Sequence, residues 1–125
     1  MFRNLTVLIL LTALFSGCAV KKLQQSKSAV VIFQTPVFKF YDKGFVNIYE
    51  DHINLQVFEV GQLALNLYVY KDKVCQSTFK CLSGKEFNKQ YLHPSYKKDF
   101  LYNLLSQNKI YHKDRTNNIF IKVKE

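Results

Sequence analysis

Three cysteines, three histidines and a scatter of carboxylates are the side chains of this 125-residue chain with the most chemistry to offer. His52, His93 and His112 show no ligand spacing relative to one another or to the cysteines. The Cys-x5-Cys interval from Cys75 to Cys81 lacks the second pair that a zinc site needs. It also lacks the Cys-x-x-Cys spacing that tunes a redox thiolate. His93-Pro94-Ser95 sets a base beside a hydroxyl, but sequence neighbours seldom point together, and a helix cap explains Ser95 more simply. Glu86 and Asp99 fall in early helical turns, where the helix dipole already favours acidic residues. No G-x-S-x-G elbow, P-loop, H-E-x-x-H or glycine-rich phosphate cradle is present. No catalytic residue, metal or cofactor is expected, and the chain reads as a non-enzyme.

Cys18 acquires its meaning from what precedes it. One cation, Arg3, is followed by an apolar run over residues 5–15 broken only by Thr6 and Thr12, then by the small residues Ser16 and Gly17. This is a secretory signal layout, too short for the roughly 20 apolar residues of a spanning helix. The segment Leu14-Phe15-Ser16-Gly17-Cys18 resembles the lipobox of bacterial lipoproteins. The resemblance implies cleavage before Cys18 and covalent attachment of acyl chains such as palmitate to that cysteine, so that membrane lipid is a partner. Each buried CH₂ contributes about 0.8 kcal/mol to such anchoring. Ala19, rather than aspartate, implies delivery to the outer membrane, facing the periplasm. With Cys18 given to lipid, Cys75 and Cys81 remain as an even pair in an oxidising compartment, where a disulfide worth about 2 to 3 kcal/mol at most is expected.

Export also reassigns the charge. The formal +9 of the full sequence becomes +8 once Arg3 is removed, with 17 basic against 9 acidic side chains. Nucleic acid drops out as a partner, and the lysines, scattered without a dense block, read as a solvated surface facing lipid head groups, acidic envelope polymers or acidic proteins.

The elements that must position anything functional follow from periodicity. Residues 1–17 are the signal, residues 18–28 a polar lipidated tether, and residues 29–125 a single domain of about a hundred residues with one modest core. Period-two alternation dominates from Val30 to Tyr70. Pro36 marks a bend, Asp42-Lys43-Gly44 a tight turn, and Glu50-Asp51-His52 a hairpin turn. Ser83-Gly84-Lys85-Glu86 fits a capping box that opens a short helix carrying Phe87 and Tyr91 on one face. A longer helix is expected from Pro94 and Ser95, with Tyr96, Phe100, Leu101, Leu104 and Leu105 at helical spacing. Strands near Ile110 and residues 119–123 close the chain. The expected fold is mainly β with one or two helices (α+β): a curved antiparallel sheet of six or seven strands, forming an unclosed half-barrel with helix packed on its concave face.

Residues 44–74, GFVNIYEDHINLQVFEVGQLALNLYVYKDKV, resemble the front half of the outer-membrane lipoprotein receptor LolB and its relatives. Residues 96–110, with Asp99-Phe100-Leu101-Tyr102-Asn103-Leu104-Leu105, are similar to the helix near the cavity of that family. The resemblance implies a half-barrel that binds acyl chains, receives lipoproteins from a periplasmic carrier and inserts them into the outer membrane. It places Ile53, Leu55, Val57, Leu63, Leu65, Leu67, Phe100 and Leu104 on the lining of an acyl cavity. The family's exposed Pro-Leu-Gly turn corresponds to Glu59-Val60-Gly61, which makes Val60 the insertion-loop residue. The other reading of the same residues is a lipid-anchored structural or interaction protein of the envelope with a filled core and no ligand.

Overall fold

The computed structural model describes residues 22–77 and 80–125. The expected signal segment, residues 1–17, and Cys18 lie outside the described residues. Among the described residues, eight strands and two helices follow in the order β1 (Leu23–Gln34), β2 (Lys39–Tyr49), β3 (Ile53–Glu59), β4 (Gln62–Val69), β5 (Lys73–Cys75), β6 (Cys81–Ser83), α1 (Gly84–Tyr91), α2 (Phe100–Leu105), β7 (Ile110–Asp114) and β8 (Ile119–Lys124). The strands form one antiparallel sheet in the order β6-β5-β4-β3-β2-β1-β8-β7, curled into an open half-barrel. Consecutive strands joined by short turns pair at low loop-closure cost, so β1 to β6 form a meander. The helical segment then crosses from the β6 edge to the β7 edge, and the β7–β8 hairpin returns to pair with β1.

Alternation decides which face is filled. Val46, Leu55 and Leu67 oppose one another across β2, β3 and β4, as do Gly44, Val57 and Leu65, and all of them face the concave side. Phe33 and Ile121 continue that face onto β1 and β8. Phe87 of α1 and Leu101, Leu104 and Leu105 of α2 complete one buried cluster with them. Each such side chain contributes about 1.5 to 3 kcal/mol when fully buried. Phe38, from the β1–β2 connection, stacks on Tyr91 with ring centroids 4.6 Å apart and so closes the cluster beside α1.

Four local expectations are revised. Residues 23–28 are not a tether but the first half of β1, paired with residues 45–49. Their polar side chains are largely exposed, and the backbone ladder rather than burial holds them. Asp42-Lys43-Gly44 is not a turn: β2 runs straight through it. Gly44 is there because a Cβ would sit 2.1 Å from the Gln56 carbonyl oxygen, so only glycine permits the two strands to approach. The second helix begins at Phe100, not near Pro94. Before it the backbone closes three-residue turns, Tyr96 N–H to the His93 carbonyl at 3.2 Å and Phe100 N–H to the Lys97 carbonyl at 3.0 Å, and Asn88 Nδ2 on α1 also donates to the carbonyls of Lys97 at 2.6 Å and Tyr96 at 3.4 Å. The added strands β5 and β6 are only three residues each, too short for periodicity to reveal.

The convex face carries a side-chain ladder. Ser26 donates to Asn47 at 2.6 Å, Asn47 to Asn54 at 3.2 Å, and Asn54 to Asn66 at 2.7 Å, which crosses β1 to β4. Asn54 is buried, and its amide also reaches the Leu67 carbonyl at 3.1 Å. A one-residue slip would break every rung, so the ladder fixes register where the outer face has little apolar pattern.

Candidate functional site

The β3–β4 hairpin has a two-residue tip, Val60 and Gly61, with φ of 52° and 74°. Positive φ at both central positions matches the twist of the flanking strands, which is why such hairpins favour Asn-Gly or Gly-Gly. A β-branched residue in this region is sterically costly. Val60 is nevertheless there, and it is 100% exposed. No packing holds the valine in place, so neither local preference nor the core accounts for it.

The strands below the tip add to the apolar surface through a bulge. Val57 opposes Leu65 and Phe58 opposes Leu63, so β4 advances two residues where β3 advances one. The extra residue, Ala64, flips everything beyond it to the other face. Leu63 therefore leaves the concave face and stands 46% exposed, which corrects its expected place in an acyl cavity. Phe58 sits beside it on the convex face and meets Phe45 edge-on, with centroids 5.8 Å apart. Val60, Leu63 and Phe45 thus form an exposed apolar strip.

The other expected cavity residues occupy the core. Ile53, Leu55, Val57, Leu65, Leu67 and Leu104 are buried in the central cluster, and Phe100 packs against its edge. Leu55, Val57 and Leu67 have no accessible surface at all, which means no space as large as a water molecule adjoins them. In this conformation the interior beside them is packed like an ordinary core. Two clefts border other residues. One of about 330 Å³ lies beside Cys81, Leu82 and Phe87, and one of about 640 Å³ lies between the β1–β2 connection and the β7–β8 turn.

Cys75 and Cys81 are bonded to each other and sit directly opposite across β5 and β6. No group of three or more metal-ligating side chains occurs among the described residues. Among those residues, too, no helix is long and apolar enough to cross a membrane.

A polar cluster that sequence reasoning missed ties the crossover to the sheet edge. The Tyr96 hydroxyl donates to Asp114 Oδ2 at 2.6 Å, and His112 Nε2 lies 2.9 Å from the Tyr96 hydroxyl oxygen. The tyrosine has a single proton to give, so Nε2–H must donate to it. Hydrogen bonds from Tyr96 and Asn117 hold the Asp114 carboxyl below its ordinary pKa. Burial and the Asp114 hydrogen bond push the Tyr96 hydroxyl well above its own. His112 and Asp114 alternate on β7, a period-two signal that was readable, but Tyr96 is 16 residues from His112 and no local pattern joins them.

Family models, curated proteins and solved structures were compared with the chain, and none matches it.

Proposed function

We propose that this chain is a lipid-anchored protein of the bacterial cell envelope, held at the outer membrane through Cys18 and facing the periplasm. Its half-barrel acts from the surface as a non-enzymatic interaction module, with a filled core and no internal ligand. The observation that supports this reading most is a contrast: Leu55, Val57 and Leu67 have no accessible surface, while Val60 is wholly exposed. Apolar contact is offered outside the molecule and not within it.

A second reading, LolB-like binding of acyl chains and reception or insertion of lipoproteins delivered by a periplasmic carrier, is favoured by Val60 alone. That residue stands in the turn the resemblance assigns to insertion, in a conformation that its own side chain disfavours. One titration separates the two. Protein carrying Cys18→Ser is mixed with a fluorescent fatty acid, and a lipopeptide is added as competitor. The filled-core reading expects no saturable binding. Saturable binding displaced by the lipopeptide would replace it with the second reading. In parallel, Cys18→Ser is expected to abolish acyl labelling and membrane partition, and persistence of either would remove the anchor from the proposal.

A further inference from the structure

The larger cleft is flanked by two turns that are each internally fixed. In the first, Thr35 N–H donates to the Phe38 carbonyl at 2.8 Å, and Thr35 Oγ1 accepts from the amides of Val37 at 3.1 Å and Phe38 at 2.9 Å. In the second, Asp114 Oδ1 accepts from the Asn117 amide at 3.2 Å and Oδ2 from the Asn117 side chain at 2.7 Å. Lys39, Lys113 and Arg115 line the space between them. Among the described residues, no carboxylate lies within ion-pair distance of any of the three. The cleft's one acid, Asp114, has both oxygens occupied by hydrogen bonds from Tyr96 and Asn117.

The cleft therefore combines three cations without carboxylate partners and one carboxylate that keeps its charge but has its oxygens turned to Tyr96 and Asn117, so positive charge predominates. Lys113 is held above the Phe120 ring, 5.6 Å from its centroid, which keeps the ammonium near the cleft wall. An apolar rim adjoins the charges: Val37 is 60% exposed at the mouth, next to Pro36, and Phe38 and Phe120 line the wall. A guanidinium with two ammonium groups suits an oxyanion with several acceptor oxygens, above all a phosphate. An apolar rim beside such a site suits an anion that carries a nonpolar portion.

We propose that this cleft binds the phosphate group of an anionic lipid headgroup, with Lys39, Lys113 and Arg115 on the phosphate oxygens and Val37 against the adjoining apolar part. The site lies at the same end of the sheet as the Val60 tip, since β1 ends, β3 ends and β7 ends all face that way. It does not depend on what Val60 does.

The test uses full-length protein carrying Cys18→Ser, so that its own lipid contributes nothing. Amide shifts are followed by NMR during separate titrations with a water-soluble short-chain phosphatidylglycerol, the corresponding phosphatidylcholine, and inorganic phosphate. Saturable shifts confined to residues 35–39 and 113–120 are expected with phosphatidylglycerol, weaker ones with phosphate, and weakest with phosphatidylcholine. Joint replacement of Lys39, Lys113 and Arg115 by Gln should weaken phosphatidylglycerol binding at least about tenfold. All three side chains are exposed, so the variant's unchanged spectrum elsewhere verifies its fold. Lys85→Gln with Lys89→Gln on α1 should leave binding as it was. Phosphate binding tighter than phosphatidylglycerol binding would overturn the lipid assignment. No localised shift with any anion, or equal binding by the Gln variant, would overturn the site itself.

Discussion

A single valine departs from the local rules most visibly. Val60 occupies a left-handed backbone position that its branched side chain resists, at a cost of about 1 to 2 kcal/mol. Val60→Asn would supply the Asn-Gly pair that such tips favour and should stabilise the domain by about 1 kcal/mol, measured as a higher urea midpoint with an unchanged slope. A gain in stability accompanied by loss of apolar contact would mean that the valine is retained for function. The tip entered the sequence reading only through the resemblance, which set Glu59-Val60-Gly61 at an exposed turn. Its positive φ was not readable from the residues, since it depends on how the strands pair. Leu63 shows the same limit: its spacing with Leu65 and Leu67 is perfect, yet one extra residue in the ladder turned it outward.

Among the elements, the strands in the first half of the domain were readable because each buries one face. The six residues before Ala29 were not, because nothing in their polar composition distinguishes a tether from a strand held by its neighbour's backbone. The start of α2 was hidden for a related reason, since the segment before it is held by turns and by a contact from Asn88 on another helix rather than by its own periodicity. The β5–β6 hairpin is the smallest pairing in the sheet, and the Cys75–Cys81 bond closes it. Reduction should cost about 2 kcal/mol, the loop-closure entropy of so short a ring. The bond itself is checked by a mass difference of two hydrogens with and without reductant. Its thermal consequence is checked by the shift in Tm of the reduced, alkylated protein.

For the molecule as a whole, the crossover from one sheet edge to the other must be fastened at both ends. Near β6 the fastening is covalent and apolar; near β7 it is the Tyr96, His112 and Asp114 cluster. Asp114 has a folded pKa below its ordinary 3.8, so its contribution to stability is complete above that value and is lost as pH falls through the lowered one. Tyr96 has a folded pKa raised above 10.0, so its contribution is complete below that value and is lost as pH rises through the raised one. Tyr96→Phe should lower the urea midpoint at neutral pH and flatten the decline on acidification. An unchanged acid limb would show that other carboxylates set it. The half-barrel class was legible because it follows from strand count and turn spacing, whereas whether the interior was hollow depended on how α1 and α2 seat against the sheet. The length of β1 has one more consequence. It runs unbroken from Leu23, five residues after Cys18, to Gln34, and the Val60 tip lies level with about Ile32, near the strand's far end. At about 3.3 Å per residue that separation is roughly 30 Å, while the link from Cys18 to Leu23 spans at most about 18 Å. Under the proposed anchoring of Cys18 in a leaflet, the strand would be a ruler: a domain standing upright would hold its valine tip far from that membrane, and only one lying along the bilayer would bring tip and anchor to the same surface.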